Sequence, residues 1–534
     1  MFHLREMSSK AEEEGKHQVI ISTRPNVDGN EENCFTPIQV ESNESPTVLE
    51  AIPVTNLNAG VIAWENEDDP EMPMNFTKTQ KLRTIALVGS FAFVTPFASS
   101  VSASAQTQIL HDLYVKGGEG DNGAGRLTVT ITVAIYILGF SIGPLLLSPL
   151  SELHGRRPLI LISDMIFTFW SLGCALAPSI PALVAFRFFE GVGGSGCLTI
   201  TAGVLGDMFA PHERGRAMAW FQLGPNIAPF IAPIAGGYMT QTIGWRWDFW
   251  LVTILGGVVT AASIFWLKES NSRVLIRRKT QRMSKQLSRD DLKSCYAETD
   301  GASLSQRSFL IQSLIRPLKM LFLFPVILLL SIAGAILYGL QYLLLVTLSP
   351  VFETTYGFSA GITGLVYLSV GAGGFLVLAI FHFASDKSIL RQTAANGGNF
   401  VPEMRVPLAI WGFVILPATF FVYGWCAQYK THWIIPILAL IPFSCGFNLL
   451  SMPLSTYVVD CYTVYAAPAM AANMALKSIC GAFLPLAGPA LYEKLGLGWG
   501  NTILGFIALA MTPIPVLIWK FGASLRRNDA KNKL

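Results

Sequence analysis

From Arg83 onward the chain repeats one pattern, an apolar run of about twenty residues followed by a short polar break. A helix rises 1.5 Å per residue, so about 20 residues cross the roughly 30 Å hydrocarbon core of a bilayer. In lipid every backbone N–H and C=O must be satisfied within the segment, which leaves the helix as the structure such a run adopts. Twelve spans are read, near 83–104, 127–150, 158–178, 182–207, 216–238, 246–267, 321–348, 360–384, 407–427, 432–457, 467–491 and 498–520. Composition agrees with this: 51% of the 534 residues are hydrophobic and 14% are charged, against about 25% charged in a soluble domain. The expected fold is therefore an all-α integral membrane protein of twelve transmembrane helices.

Polar stretches divide the chain. Residues 1–82 are rich in Glu, Asp, Asn, Ser and Pro and read as a disordered cytoplasmic tail. The stretch 83–267 reads as a first six-helix bundle, 268–320 as a cytoplasmic central loop, 321–520 as a second bundle and 521–534 as a short tail. MFHLREMSSKAEEEG has no apolar signal region, so the first helix is expected to direct insertion. Basic residues gather at Lys78, Lys81, Arg83, Arg156, Arg157, Arg214 and Arg216, in RVLIRRKTQRMSK, and at the C-terminus, whereas ALAPSIPAL and YMTQTIG have none. Lys116 and Arg126 run against that pattern. The positive-inside rule places both termini and the central loop in the cytoplasm.

A net charge of +3 needs no nucleic-acid partner. The eight cysteines are scattered without CxxC spacing and read as packing residues, so no metal or cofactor is expected. No P-loop or HExxH occurs, so nothing points to an ATP-driven pump or a metallohydrolase, and no enzyme is expected. A monomer is expected, with the bilayer, protons and a small organic substrate as its partners.

Several motifs carry chemistry. SPLSELHGRRPLI places Glu152, Gly155, Arg156 and Arg157 between the second and third spans, where a tight turn with fixed charges can latch two bundles in one conformation. LVAFRFFEGVGGSG puts Arg187 and Glu190 three apart on one face of the fourth span. Each such charge costs roughly 2.5–3.5 kcal/mol at a bilayer centre, so the pair must face protein or water. GPNIAPFIAPIAGG carries Pro225, Pro229, Pro233, Gly236 and Gly237 in the fifth span. Together with DMFAPHERGRAM, GWRWDFW, PEMR and YVVDCY these segments resemble the major facilitator superfamily over roughly residues 75–525, and within it the fungal drug:proton antiporter branch.

That resemblance implies two pseudo-symmetric six-helix bundles around a central cavity, with Glu152, Gly155, Arg156, Arg157 and Asp386 at gating loops and an antiporter-like fifth helix. No PESPR-like segment follows the sixth span, which argues against a sugar porter. Arg187, Glu190 and Lys477 are the candidates for proton coupling. Candidates for the substrate cavity are Gln222, Asn226, Tyr338, Gln341, Tyr342, Asn448 and Asn473, the intramembrane polar groups. Asp207, Asp248 and Glu353 stand at span ends, and Asp248 in WRWDFW reads as a solvated charge in an interfacial aromatic belt. The implied function is proton-coupled efflux of a drug, toxin or secondary metabolite across a fungal plasma membrane. A proton symporter or facilitator for nutrient uptake shares the fold, and a receptor built on the same scaffold would be expected to carry a large extra domain.

Overall fold

The computed structural model describes residues 54–115, 123–209, 211–296, 306–380, 386–397, 401–462 and 466–529. Among these residues ten stretches are long and apolar enough to cross a membrane. One of them, Pro468–Arg526, has 59 residues and reverses at Gly496, whose φ of 73° and ψ of 173° are open to glycine but not to other residues. The proline-bearing helix Pro211–Thr242 lies outside the ten and completes the expected twelve spans.

The first bundle contains α1 (Lys78–Val101), a short α2 (Gln106–Leu110), α3 (Gly123–Gly139), α4 (Ile142–His154), α5 (Arg156–Ala175), α6 (Ile180–Met208), α7 (Pro211–Thr242) and α8 (Arg246–Trp266). The second bundle follows α9 (Ser272–Leu287) and α10 (Gln306–Leu323). It comprises α11 (Pro325–Tyr356), α12 (Ala360–Ile380), the short α13 (Asp386–Ala395), α14 (Val406–Gln428), α15 (Ile434–Cys461), α16 (Ala466–Phe483), α17 (Ala487–Ala510) and α18 (Pro513–Asp529). The second span is α3 and α4 together, broken near Phe140. We call the ends of the bundles that hold Lys78 and Arg526 proximal, and the opposite ends distal.

Packing repeats between the halves. In the first bundle α1 lies on α7, α5 on α6 and α5 on α8; in the second α11 lies on α16, α14 on α15 and α14 on α17. Each bundle has its own core, one with Phe91, Phe167 and Val204, the other with Leu340, Phe413 and Phe443. The bundles meet where α7 packs on α12 and α3 packs on α16. Small residues permit that approach: a Cβ on Gly364 would sit 2.4 Å from the Pro233 carbonyl oxygen, and one on Gly237 would sit 2.4 Å from that of Ala360.

Local chemistry explains the proximal start. Thr77 and Gln80 form a reciprocal capping box, so α1 begins at Lys78, five residues before the expected span. The preceding residues correct the disordered-tail expectation for their part of the chain. Val61–Ile62 (β1) pairs in parallel with Lys293–Ser294 (β2), and Trp64, Met72 and Ile276 form a small buried cluster. Lys279 bonds Asp69 at 3.3 Å. The pre-helical strap and the central loop thus fold together, while residues 1–53 lie outside those described. The central loop is likewise largely helical, through α9 and α10, and α18 continues through most of the expected C-terminal tail.

Candidate functional site

Arg187 and Glu190 lie on α6 and are both 0% exposed. The Arg187 guanidinium donates to Glu190 Oε2 at 3.0 Å, to the carbonyls of Ala98 at 3.0 Å and Thr132 at 3.2 Å, and to Ser102 Oγ at 3.2 Å. Its face lies 4.4 Å from the Tyr136 ring centroid. Those partners come from α1, α3 and the turn after α1, so one side chain ties three spans together. Glycines on α6 make room: a Cβ on Gly191 would meet the Tyr136 carbonyl oxygen at 2.2 Å. The two charges offset one another inside a sealed polar nest.

Lys477 is different. It stands on α16, half-buried, with its stem laid across α11 so that a Cβ on Gly334 would meet its Cε at 2.6 Å. Its ammonium has no hydrogen bond or ion pair among the described residues. Asn473, one turn earlier, is buried and its Oδ1 has no hydrogen-bond partner.

One turn on from Gly334, Tyr338 packs against the cores of both bundles. Its hydroxyl donates to Tyr342 Oη at 3.5 Å, and Tyr342 Oη lies 3.5 Å from Ser99 Oγ of the opposite bundle. Gln341 is half-buried beside them. Asn226 and Asn448 face a separate small void with Phe230, Gly374 and Met452, while Gln222 is exposed one turn nearer the proximal end. The expected cavity residues are therefore distributed over two places in this conformation, and Gln222 belongs to neither.

The distal ends of the bundles are tied together. Thr107 Oγ1 donates to Glu353 at 2.6 Å, Gln106 Nε2 donates to the Val346 carbonyl at 3.3 Å, and the Gly361 N–H donates to Gln241 at 3.2 Å. A cavity of about 400 Å³, lined in part by Gln106, Thr130, Val351 and Tyr492, lies beside these ties. In α7 the helix continues through Pro225, Pro229 and Pro233. Each proline lacks an N–H, and α7 is held along its length by close contact with α1 and α12. Gly236 is pressed on α1, where a Cβ would lie 2.4 Å from the Val101 carbonyl oxygen.

At the proximal end the turn between α4 and α5, the expected gating loop, is closed by an acid other than Glu152. Gly155 has φ 105° and lies against the Glu269 carboxylate, which would meet a Cβ there at 2.3 Å. Glu269 accepts the N–H groups of Arg156 at 2.8 Å and Arg157 at 3.3 Å, capping α5 with a charge where its dipole is positive. Arg156 also bonds Asp207 at 3.3 Å, and Arg157 donates to the Ile264 carbonyl at 2.9 Å. Glu152, the acid expected in this role, is exposed and its side chain bonds nothing among the described residues. Asp386 opens α13, and its side chain lies outside those described.

One acid changes standing, and two more emerge only in the structure. Asp248 is 0% exposed and accepts from Thr240 at 2.9 Å, so it is a buried bond in the first turn of α8, not a solvated charge. Glu269 went unread because it lies 113 residues from the turn it caps. Asp164 on α5 is 0% exposed with neither carboxylate oxygen bonded, and the lone Asp of LISDMIF within an apolar run was the signal that marks it.

Comparison with known proteins places the fold. The sequence model of the Major Facilitator Superfamily matches residues 85–485. The chain is 41% identical over 496 residues to the MFS transporter cpaT of Aspergillus oryzae, covering 93% of this chain and 97% of that one. It is 37% identical over 468 residues to the efflux pump radE of Floropilus chiversii, covering 87% of this chain and 85% of that one. Among solved structures, a partially occluded inward-open form of the xylose transporter XylE from E. coli superposes with a TM-score of 0.60 at 16% identity, covering 83% of this chain and 98% of that one.

Proposed function

This chain belongs to the major facilitator superfamily, and on that footing we propose that it is a proton-driven exporter of a small organic compound such as a drug, toxin or secondary metabolite. The observation that carries the reading is where the bundles meet. Aromatic, amide and ammonium groups gather at the α11 and α16 face, beneath distal ties that consist of a few hydrogen bonds. Such ties cost little to break and re-form, as alternation between two bundle arrangements requires. The glycine and proline pattern of α7 and the naming of one relative as an efflux pump favour export over uptake.

The charged residues then divide by role. Arg187 holds α1, α3 and α6 together, with Glu190 as its counter-ion. Lys477, half-buried beside Gly334 and without an ion partner among the described residues, takes part in substrate handling. The proton is assigned to an acid of the first bundle, and Asp164 suits that task better than Glu190 because it is committed to no cation. Glu152 is left free in this distal-closed arrangement and forms its latch in the other one. The orientation that fits is both termini in the cytoplasm of a plasma-membrane protein, with the basic proximal face inward.

The test is accumulation in efflux-deficient yeast with and without the protein, using dyes, azoles, polyamines and aromatic acids, repeated with a protonophore. The expected outcome is lower accumulation of one class that the protonophore abolishes. Raised accumulation would make this an uptake carrier.

A further inference from the structure

We propose that Lys477 anchors a substrate site for planar aromatic compounds bearing an acidic group, a carboxylate, phenolate or enolate, and that this site turns away organic cations. The inference rests on the exporter reading and gives it a substrate class.

Lys477 lies 11 residues into α16, ~16 Å from its proximal start at the usual helical rise, too deep for its ammonium to reach the proximal headgroups. Gly334 opens α11 to receive the lysine stem, so the side chain is seated and not merely tolerated. A seated cation in the membrane interior should have an anion beside it.

None of the acids on the elements packed against α16 serves. On α11, Glu353 is 19 residues past Gly334, ~28 Å along the helix, and accepts from Thr107 at the distal end. The acid of α4, Glu152, stands exposed at its proximal end. On α15, Asp460 is bonded to Arg405, again proximally. The described part of α3 and α16 itself carry no acid. Deeper in the first bundle Glu190 is bound to Arg187, and Asp164 is sealed inside that bundle's core. The partner left for Lys477 is one that comes and goes.

Its surroundings describe that partner. Tyr338 lies one turn beyond on the same contact, where its ring meets a Cβ built on Gly481 at 2.8 Å. Its hydroxyl and that of Tyr342 stand 3.5 Å apart at the junction of the bundles. Asn473 adds a carboxamide oxygen free to accept. A flat aromatic anion can stack on the tyrosines, set its charge on the ammonium and donate any second hydroxyl to Asn473. An aromatic cation would meet a like charge in a low-dielectric setting.

The test uses the purified full-length chain in lipid nanodiscs. Thermal stabilisation is measured with aromatic carboxylic acids and acidic phenols against size-matched aromatics that carry an aliphatic amine or a fixed cation, here called amines, fluorescein and rhodamine 123 among them. The acids are expected to raise the melting temperature. Lys477→Arg should keep that response, Lys477→Gln should weaken acid binding at least ~10-fold, and Lys477→Glu should shift preference to amines. Stabilisation by amines as strong as by acids, unchanged acid binding in Lys477→Gln, or no stabilisation by any member of the panel would each overturn the proposal. So would a lower melting temperature of unliganded Lys477→Gln, because it would reveal a stabilising partner within the protein. An acid that binds but is not expelled from yeast in a protonophore-sensitive way would remove the exporter reading and leave the site standing.

Discussion

Among the described residues two cations lie deep in the membrane-spanning helices, Arg187 in the first bundle and Lys477 in the second, and the protein treats them in opposite ways. Arg187 has a carboxylate, two carbonyls, a hydroxyl and an aromatic face around it and no exposure. Lys477 has none of these partners among the described residues and stands half-buried beside Gly334 of α11. A guanidinium with five fixed donors suits permanent bonding, and a lysine ammonium on a flexible stem suits a partner that changes. The difference teaches that charge inside the membrane is not one kind of signal. A satisfied charge holds helices together, and an unsatisfied one waits for a ligand.

The largest effect expected from breaking the contrast is on Arg187. Arg187→Ala strands Glu190 and several acceptors, at a cost of about 3–5 kcal/mol, so the yield of folded, monodisperse protein should collapse. Normal yield with lost export would give Arg187 a working role instead. Lys477→Ala should do the reverse, leaving yield at the wild-type level while export falls by about 10–100-fold, the loss of a charge-assisted contact of about 1.5–3 kcal/mol. Equal yields for both variants would end the distinction.

Glu353 is an intermediate case, a carboxylate with one hydroxyl donor. Glu353→Gln should weaken the distal tie by about 1 kcal/mol. A cysteine placed at Thr354 should then be labelled faster by a membrane-impermeant thiol reagent, and unchanged labelling would show that the tie does not govern distal opening. The smallest effect concerns Asp69, outside the membrane. Burial pushes its carboxyl up, but the N–H groups of Glu65 and Glu71 and the Lys279 ammonium outweigh that and hold it below the usual carboxylate range. A lowered folded value means stability that is present above the unfolded pKa of about 3.9 and is lost as pH falls through the folded one. The strap should therefore stay protected from hydrogen exchange down to about pH 4, and loosening near neutrality would contradict the assignment.

Much of this was legible in the sequence. Apolar runs of spanning length declare the helices because lipid allows few other structures, and Arg187, Glu190 and Lys477 stand out against their apolar neighbours. What escaped depends on distant partners. The strap reads as disordered because residues 54–76 lack an apolar core of their own; their order comes from β2, Ile276 and Lys279, more than 200 residues away. Glu152 and Glu269 illustrate the same limit, since spacing indicates that the turn needs an acid and only the fold decides which one arrives. Asp164 was visible as a letter, and its lack of partners was not.

The most direct test of the whole account is transport in vesicles containing the purified chain, with a pH gradient imposed and an aromatic acid followed on both sides. The acid should move against the direction of proton flow, stop when the gradient is collapsed, and move about 10–100-fold more slowly in Lys477→Ala. Movement of acid and protons in the same direction would contradict export and identify an uptake symporter.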